Sequence, residues 1–140
     1  AVLVQAAADV NGRTHFGPTP LHAASSRGHV ATTRFLLAHR ADVSAATRNG
    51  TTPTHSAAAS GHTAVLSLLC AARADVNQQR LDGVTALHAA AWAGCLPAIK
   101  VLCSARADMH MATSVGQTPL HLAVESGRED VALYLRAGKK

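Results

Sequence analysis

A stretch of six residues recurs four times along this chain at a constant spacing. It reads Thr-Pro-Leu-His-Ala-Ala at residues 19–24, and related versions begin at Thr52, Thr85 and Thr118, each 33 residues after the previous one. One glycine precedes every copy by two residues, and another follows each threonine by nine. A regular period of this length indicates stacked repeats, in which no single repeat can bury its apolar face without its neighbours.

Each copy carries start and stop signals for a pair of short helices, and residues 14–46 serve as the example. Thr19 is a good N-cap, and Pro20 suits the first helical position because proline lacks the N–H that would stay unpaired there. Gly28 should end this helix in the left-handed conformation. A second helix is predicted over about 30–38, followed by an extended finger that leads to the next repeat.

Taken together, these features resemble the ankyrin repeat. The resemblance rests on Gly-x-Thr-Pro-Leu-His-x-Ala, then Gly-His, Leu-Leu and Ala-Asp-Val-Asn, and it covers essentially the whole chain without insertions. It implies an all-α solenoid of stacked helix-turn-helix units with β-hairpin-like fingers. We expect a single domain over 1–140, with the tail of a truncated repeat at 1–13, full repeats at 14–46, 47–79 and 80–112, and a shortened last repeat at 113–140.

The first 13 residues match only the end of a repeat. Residues 2–4 are apolar like the core of the later second helices, and residues 8–11 carry the Ala-Asp-Val-Asn ending. Terminal repeats of such arrays normally present a polar outer face, which this start lacks. We therefore expect the chain to be a piece of a longer protein, or its ordered part.

Several function classes are disfavoured by the motif content. The sequence contains no P-loop, no Gly-x-Ser-x-Gly elbow and no paired carboxylates outside the repeat pattern, so we predict no enzyme and no cofactor. Four of the nine histidines share one repeat position, and stacked helices about 10 Å apart cannot bring them to one metal ion. We expect them instead to bind the adjacent finger. The structural motif residues are Thr19, His22, Thr52, His55, Thr85, His88, Thr118 and His121.

Cysteine usage and hydropathy bear on the compartment. Cys70 and Cys103 occupy the same repeat position, so they should lie too far apart for a disulfide bond. We expect reduced thiols and an intracellular, reducing compartment, whether cytoplasm, nucleus or organelle interior. No apolar run approaches the roughly 18 residues of a membrane helix, so we do not expect membrane insertion.

Basic residues stand where the ankyrin family prefers glycine after the second helix. They are Arg40, Arg73 and Arg106, and a side chain in left-handed geometry is strained by about 1 kcal/mol. One explanation is attraction to the carbonyl end of the helix, with an aspartate two residues away. The other is an arginine ladder that contacts a carboxylate-rich or phosphate-rich partner. The sequence favours the first, and nucleic acid is not expected because aromatic side chains are nearly absent.

Two threonines occupy positions that are aliphatic in the other copies. Thr54 replaces the leucine of a first helix, and Thr32 stands at an aliphatic position of a second helix. Each should place a hydroxyl where a methyl group would pack, so we expect the first two repeats to be the weakest part of the stack.

The resemblance also implies where a partner would bind. In the ankyrin fold the finger tips and the exposed ends of the first helices line the concave face. Trp92 is the only tryptophan, a residue type enriched at interface hot spots, with Leu81 and Val84 as a wall beside it. The alternative is that Trp92 packs against its own finger. The candidate partner-binding residues are Phe16, Arg27, Arg48, Leu81, Val84, Trp92, Val115 and Glu125.

We accordingly predict a non-catalytic protein–protein interaction scaffold that binds another protein through its concave face and finger tips. Two alternatives stay open. The chain could be a structural or linker subunit embedded in a larger assembly, or a basic module that contacts an anionic surface, given its formal net charge of +5.

Overall fold

The computed structural model describes residues 19–137, which form eight α-helices arranged as a stack of helix pairs. Each pair consists of an inner helix followed, after a tight turn, by an outer helix. The inner helices are α1 (Pro20–Arg27), α3 (Pro53–Ser60), α5 (Ala86–Ala93) and α7 (Pro119–Glu125). The outer helices are α2 (Val30–Ala38), α4 (Thr63–Ala71), α6 (Leu96–Ser104) and α8 (Glu129–Arg136). The all-α solenoid is confirmed.

All four inner helices begin with the same reciprocal cap. The backbone N–H of His22 donates to Thr19 Oγ1 at 3.4 Å, while the N–H of Thr19 donates to His22 Nδ1 at 3.0 Å. The same capping box recurs at the other three threonines. Two backbone donors that a helix start would leave unpaired are thus satisfied. The sequence predicted the threonine cap but not the reciprocal bond to the histidine ring.

Alanine allows the inner helices to approach closely. Each inner helix packs against the inner helices of the neighbouring repeats and against its own outer helix. Alanines of α3 and α5 are fully buried at these contacts, while larger aliphatic side chains fill the space beneath the outer helices. The core is therefore a continuous strip along the stack, with Leu21, Leu36, Leu66, Leu69, Leu87, Ile99 and Leu102 as its largest aliphatic members.

The chain between an outer helix and the next inner helix forms the finger, whose tip is a tight turn. In the finger tip 80–84, the N–H of Arg80 donates to the carbonyl of Val84 at 2.8 Å. Neighbouring tips are joined by a backbone hydrogen bond, from Leu81 N–H to the Asn49 carbonyl at 3.0 Å. Residues 19–137 include no β-strand, so the hairpin-like fingers are hydrogen-bonded turns and not ladders.

Buried histidines connect each inner helix to the finger of the next repeat. The Nε2 atoms lie 2.8–2.9 Å from the carbonyl oxygens of Thr51, Val84 and Gln117, for His22, His55 and His88 respectively. A carbonyl only accepts, so Nε2 carries the proton, and Nδ1 must stay unprotonated to accept the threonine N–H. The expected bond from helix start to finger is confirmed for these three histidines. The imidazole must be neutral to make this bond and the cap together, because a protonated ring could not accept at Nδ1.

We expect stability to fall when the pH drops below about 6.5, the ordinary value of an unfolded histidine. Burial lowers the pKa of both His55 and His88 in the folded protein, against the opposing effect of their carbonyl partners. Between the lowered and the ordinary pKa the unfolded chain binds protons that the folded chain does not. Stability is therefore complete above pH 6.5 and decreases below it, by at most about 1.4 kcal/mol per pH unit for each histidine.

Urea unfolding at pH 7.5, 6.5 and 5.5 measures this effect. A His55→Gln/His88→Gln variant should be less stable throughout and should show a flatter pH dependence. Equal stability of the unmodified protein at pH 7.5 and 5.5 would contradict the assignment.

The predicted threonine substitutions in the core are only partly where we expected them. Thr54 is buried and its hydroxyl has no hydrogen-bond partner. Thr32 is half-buried, whereas the next residue, Thr33, is fully buried at the position of Leu66 and Ile99. Thr33 Oγ1 donates to the carbonyl of His29 at 2.8 Å, so its hydroxyl is satisfied. Only Thr54 therefore has a buried polar group without compensation among these three.

Replacing Thr54 by valine should stabilise the protein by about 1 kcal/mol, because it removes an unpaired buried hydroxyl with little change in shape. Thr54→Leu restores the residue found at Leu21 and Leu87 and should gain about 1–2 kcal/mol. The matched control is Thr33→Val, which should change the free energy of unfolding by less than about 0.5 kcal/mol or lower it. A gain for Thr33→Val equal to that for Thr54→Val would refute the explanation.

Left-handed backbone geometry is confirmed at the three arginines that follow the outer helices. The φ angles are 66° at Arg40, 67° at Arg73 and 70° at Arg106, and no other non-glycine residue within 19–137 has a positive φ. Three repeats thus hold a side chain where glycine would be free of strain.

A triple Arg40→Gly/Arg73→Gly/Arg106→Gly variant should be more stable by about 1–2 kcal/mol in total, because relief of strain outweighs the lost attraction to the helix ends. Thermal and urea unfolding measure the change. Arg34→Gly, within α2, is the control and should destabilise the protein by about 1 kcal/mol. A destabilised triple variant would show that the arginines make contacts that exceed the strain.

Candidate functional site

A groove of about 440 Å³ opens between two finger tips and the inner helices behind them. The tips are residues 80–84 and 113–117, and the helices are α3, α5 and α7. Small side chains of α3 and α5 form part of its lining, and the apolar walls come from Val84, Trp92, Val115 and Leu122. We call this feature the groove.

Trp92 projects from the last turn of α5 and is 59% exposed. Its backbone carbonyl accepts a hydrogen bond from Arg128 Nε at 3.4 Å, and the Arg128 side chain lies across Gly94. The helix end that carries the indole is thus held by the next repeat, while the ring stays largely open to solvent. The indole is thus not buried, although it lines the groove together with Arg80, Asp82 and Val84 of its own finger.

Val115 and Leu122 complete the apolar wall from the following repeat. Val115 is 78% exposed at the finger tip 113–117, and Leu122 is half-buried on α7. At the repeat position of Leu122 the earlier inner helices carry small residues, Ala23, Ser56 and Ala89. The sequence analysis missed Leu122, and comparing side-chain size at this position across the repeats would have found it.

A charge pair braces the other tip of the groove. Arg80 donates from Nε to Asp82 Oδ1 at 3.2 Å and from Nη2 to Oδ2 at 2.6 Å. This hydrogen bonding lowers the pKa of Asp82, so the carboxylate stays ionised. The backbone N–H of Val84 also donates to Asp82 Oδ1, at 3.2 Å. The tip is therefore hydrogen-bonded within itself and locally neutral. The sequence analysis missed Arg80, although an arginine and an aspartate two apart in a turn would have indicated the pair.

The structure brings only some of the predicted binding residues together. Val84, Trp92 and Val115 line the groove. Glu125 lies at its edge, because both carboxylate oxygens accept from Gln117 Nε2, at 3.2 and 3.1 Å, and Gln117 is a lining residue.

The remaining predicted residues lie elsewhere. Leu81 is 80% exposed at its tip but is not among the residues that line the groove, so the wall beside Trp92 comes from Val84 and not from Leu81. Arg27 and Arg48 are exposed in earlier repeats, away from the groove. Phe16 falls outside residues 19–137.

The arrangement offers little for metal or thiol chemistry within the described part of the chain. Residues 19–137 contain no cluster of three or more histidine, cysteine or carboxylate side chains able to hold a metal ion. The cysteines are free, and burial raises the pKa of the Cys70 and Cys103 thiols, which disfavours the reactive thiolate. Across the same residues, no helix combines the length and apolarity that crossing a bilayer requires.

Comparison with known proteins agrees with the repeat geometry. A family model described as ankyrin repeats (3 copies) matches residues 1–80 and 71–140, which together span the chain. A comparison with curated proteins gives no match. Ankyrin repeats are generally protein–protein interaction modules without catalysis of their own. The sequence match and the four capped helix pairs agree, and the chain belongs to the ankyrin repeat family.

Proposed function

We propose that this domain is a non-catalytic scaffold that binds a partner protein in the groove, with Trp92 as the anchor. The main observation behind this proposal is that the indole of Trp92 is largely exposed beside an apolar groove, whose walls come from two successive repeats. Tryptophan is one of the residue types enriched among the few residues that dominate the binding energy of an interface.

The exposed apolar surface around Trp92 supports this proposal. Leu81, Trp92 and Val115 are three of the five large hydrophobic residues within 19–137 that are exposed. Of these, Trp92 and Val115 both line the groove, and exposed apolar side chains that lie together mark interaction sites more often than single scattered ones do.

The charges at the groove indicate the kind of contact. The two charged lining residues, Arg80 and Asp82, neutralise each other, whereas the carboxylate of Glu125 at the edge is hydrogen-bonded only to the uncharged amide of Gln117. The partner is then selected by apolar insertion and by hydrogen bonds to the rim, and we expect binding to depend weakly on salt.

A random peptide library displayed on phage and selected on the immobilised protein provides a probe. The affinity of the selected synthetic peptides would be measured by fluorescence polarisation. Trp92→Ala should weaken binding by about 30-fold or more, corresponding to about 2 kcal/mol. Leu133→Ala is the matched control, since Leu133 is also a large exposed side chain but lies on α8, and it should change affinity by less than about two-fold.

Circular dichroism would establish that both variants are folded. Peptides that bind the Trp92→Ala variant as tightly as the unmodified protein would overturn the groove as the binding site.

A structural subunit in a larger assembly is the second candidate, and the last described helix pair favours it. Val124 and Leu133 are exposed there. A Val124→Ser/Leu133→Ser variant tests this candidate: loss of the native assembly in this variant, with assembly retained in Trp92→Ala, would favour it over the groove.

A further inference from the structure

We propose that Arg40, Arg73 and Arg106 form a second docking surface, distinct from the groove, for an acidic peptide segment of a partner protein. We call these three residues the arginine ladder. None of them lines the groove, and all three are exposed at the ends of the outer helices.

Backbone strain is the first observation behind this assignment. The ladder residues are the only non-glycine residues within 19–137 with a positive φ, and each occupies the same point of its repeat. Glycine would fit this geometry without strain. Arginine nevertheless occupies this strained position in three repeats. Because the backbone would be better served by glycine, we attribute its presence to a function of the arginine side chain.

The helix ends do not need the guanidinium groups. At Arg73, the backbone N–H donates to the Cys70 carbonyl at 3.0 Å, and the N–H of Ala74 donates to the Leu69 carbonyl at 3.1 Å. The ends before Arg40 and Arg106 show the same two bonds. The last carbonyl groups are thus capped by backbone donors, and those N–H groups are in turn not free to hold an anion.

The neighbouring aspartates do not pair with the ladder. Asp75 Oδ1 accepts from the N–H of Asn77 at 3.0 Å, and Asp108 Oδ1 accepts from that of His110 at 2.9 Å. Within residues 19–137 the ion pair is that of Arg80 with Asp82, and no ladder guanidinium pairs with a carboxylate. The ladder cations are therefore available to an external carboxylate, which can bind a guanidinium through two parallel hydrogen bonds.

A side chain holds two steps of the ladder at a fixed separation. Asn77 Oδ1 accepts from the N–H of Asp108 at 2.6 Å, and Asn77 Nδ2 donates to the carbonyl of Arg106 at 3.4 Å. Asn77 follows Arg73 by four residues, so it ties the segment after Arg73 to the segment that carries Arg106. A partner with matching spacing meets a surface that is already organised.

The spacing points to an extended peptide. Packed helices lie about 8–10 Å apart, and a polyproline II peptide advances about 9 Å in the three residues that bring a side chain back to the same face. Glutamates at every third position would thus face successive arginines.

The aspartates disfavour a uniform polyanion. Arg106 and Asp108 line the same surface hollow, so positive and negative groups alternate along this face. A continuous phosphate backbone would meet both, whereas a peptide with spaced carboxylates can place other residues beside the aspartates.

The probe is a fluorescein-labelled peptide of five Glu-Pro-Gln units, compared with an isomer in which the same five glutamates are contiguous. Both peptides have the same charge and composition. At about 50 mM salt we expect the spaced peptide to bind at least about five-fold more tightly than the isomer, because only its carboxylates match the ladder.

The variants separate the ladder from net charge and from the groove. Arg40→Gly/Arg73→Gly/Arg106→Gly should lower the affinity for the spaced peptide by at least about ten-fold. Because this variant is expected to be more stable than the unmodified protein, unfolding would not explain the loss. Arg34→Gln/Lys100→Gln/Arg136→Gln removes three exposed charges from the outer helices and should cost less than about three-fold. Trp92→Ala should leave the affinity unchanged.

Four results would overturn the proposal: equal losses in the two triple variants, equal binding of the two peptides, loss of binding in Trp92→Ala, or a 15-residue oligothymidylate that binds more tightly and depends on the ladder. The last result would assign the surface to nucleic acid. Loss of binding in Trp92→Ala would move the acidic peptide to the groove, whereas the other three results leave the groove untouched, because its own test uses peptides selected from a random library.

Discussion

Leu87→Ala should lower the free energy of unfolding by about 3–4 kcal/mol, because it removes a fully buried side chain and leaves a cavity. Leu87 lies on α5, which packs between α3 and α7 as well as against α6. In a stacked array each repeat is stabilised only by its neighbours, so a defect here weakens two interfaces at once. Urea unfolding followed by circular dichroism measures the loss.

Two other leucines provide graded controls for this substitution. Leu120 occupies the same repeat position on α7 but is only half-buried, so Leu120→Ala should cost about 1–2 kcal/mol. Leu81 is exposed at a finger tip, and Leu81→Ala should change stability by less than about 0.5 kcal/mol. If the three substitutions had equal effects, burial within the stack would not be what determines stability.

Gly83→Ala should destabilise the protein by about 3 kcal/mol, and the reason lies in the next finger. Gly83 has a φ of 84°, and a Cβ atom there would lie 2.8 Å from both the Thr113 Cα and the Ser114 backbone nitrogen. The added methyl meets backbone, which cannot rotate away as a side chain could. It would also disturb the bond from Ser114 N–H to the Asp82 carbonyl, 2.9 Å long, which joins the two tips. The backbone strain and the loss of this hydrogen bond therefore both lower the free energy of unfolding.

The matched control is Gly116→Ala. Gly116 has nearly the same φ, 82°, but a Cβ atom there would meet nothing within 4 Å among the described residues. Its substitution should cost only the conformational strain, about 1 kcal/mol. Thermal unfolding of both variants distinguishes the two contributions. A loss for Gly116→Ala as large as that for Gly83→Ala would mean that left-handed strain alone accounts for the effect.

The same pair of variants also addresses the groove. The tips on either side of the Gly83 contact supply Val84 and Val115 to its walls. At a temperature where both variants are folded, Gly83→Ala should lower the affinity for the peptides selected on the groove. Gly116→Ala should change this affinity less. This result would connect the packing of the fingers to binding.

Features set by residues three or four apart could be predicted without coordinates. Thr19 caps α1 through His22, Gly28 ends that helix at a φ of 72°, and Arg40 adopts the left-handed conformation expected of a position where glycine is preferred. Each depends on backbone groups within one turn, so the 33-residue pattern was enough.

The candidate site was only partly predictable. Trp92 and Val115 were identified as exposed apolar residues of the fingers and inner helices, because the family resemblance assigns those positions to the surface. Val84 lines the groove and Leu81 does not, although both lie in the same finger tip. The sequence does not show which side of a turn each of its side chains occupies. The wall from Leu122 depends on how closely α7 approaches α5, which no single repeat encodes.

The sequence by itself determined the repeat, the helix pairs, the caps and the left-handed arginines, because these follow from local hydrogen bonds and backbone sterics. Only the tertiary structure decided the rest: that the Thr54 hydroxyl is unpaired, and that Gly83 faces backbone while Gly116 faces open space. These depend on atoms about 30 residues apart in the chain, and stacking brings such atoms together at distances that a repeat pattern does not specify.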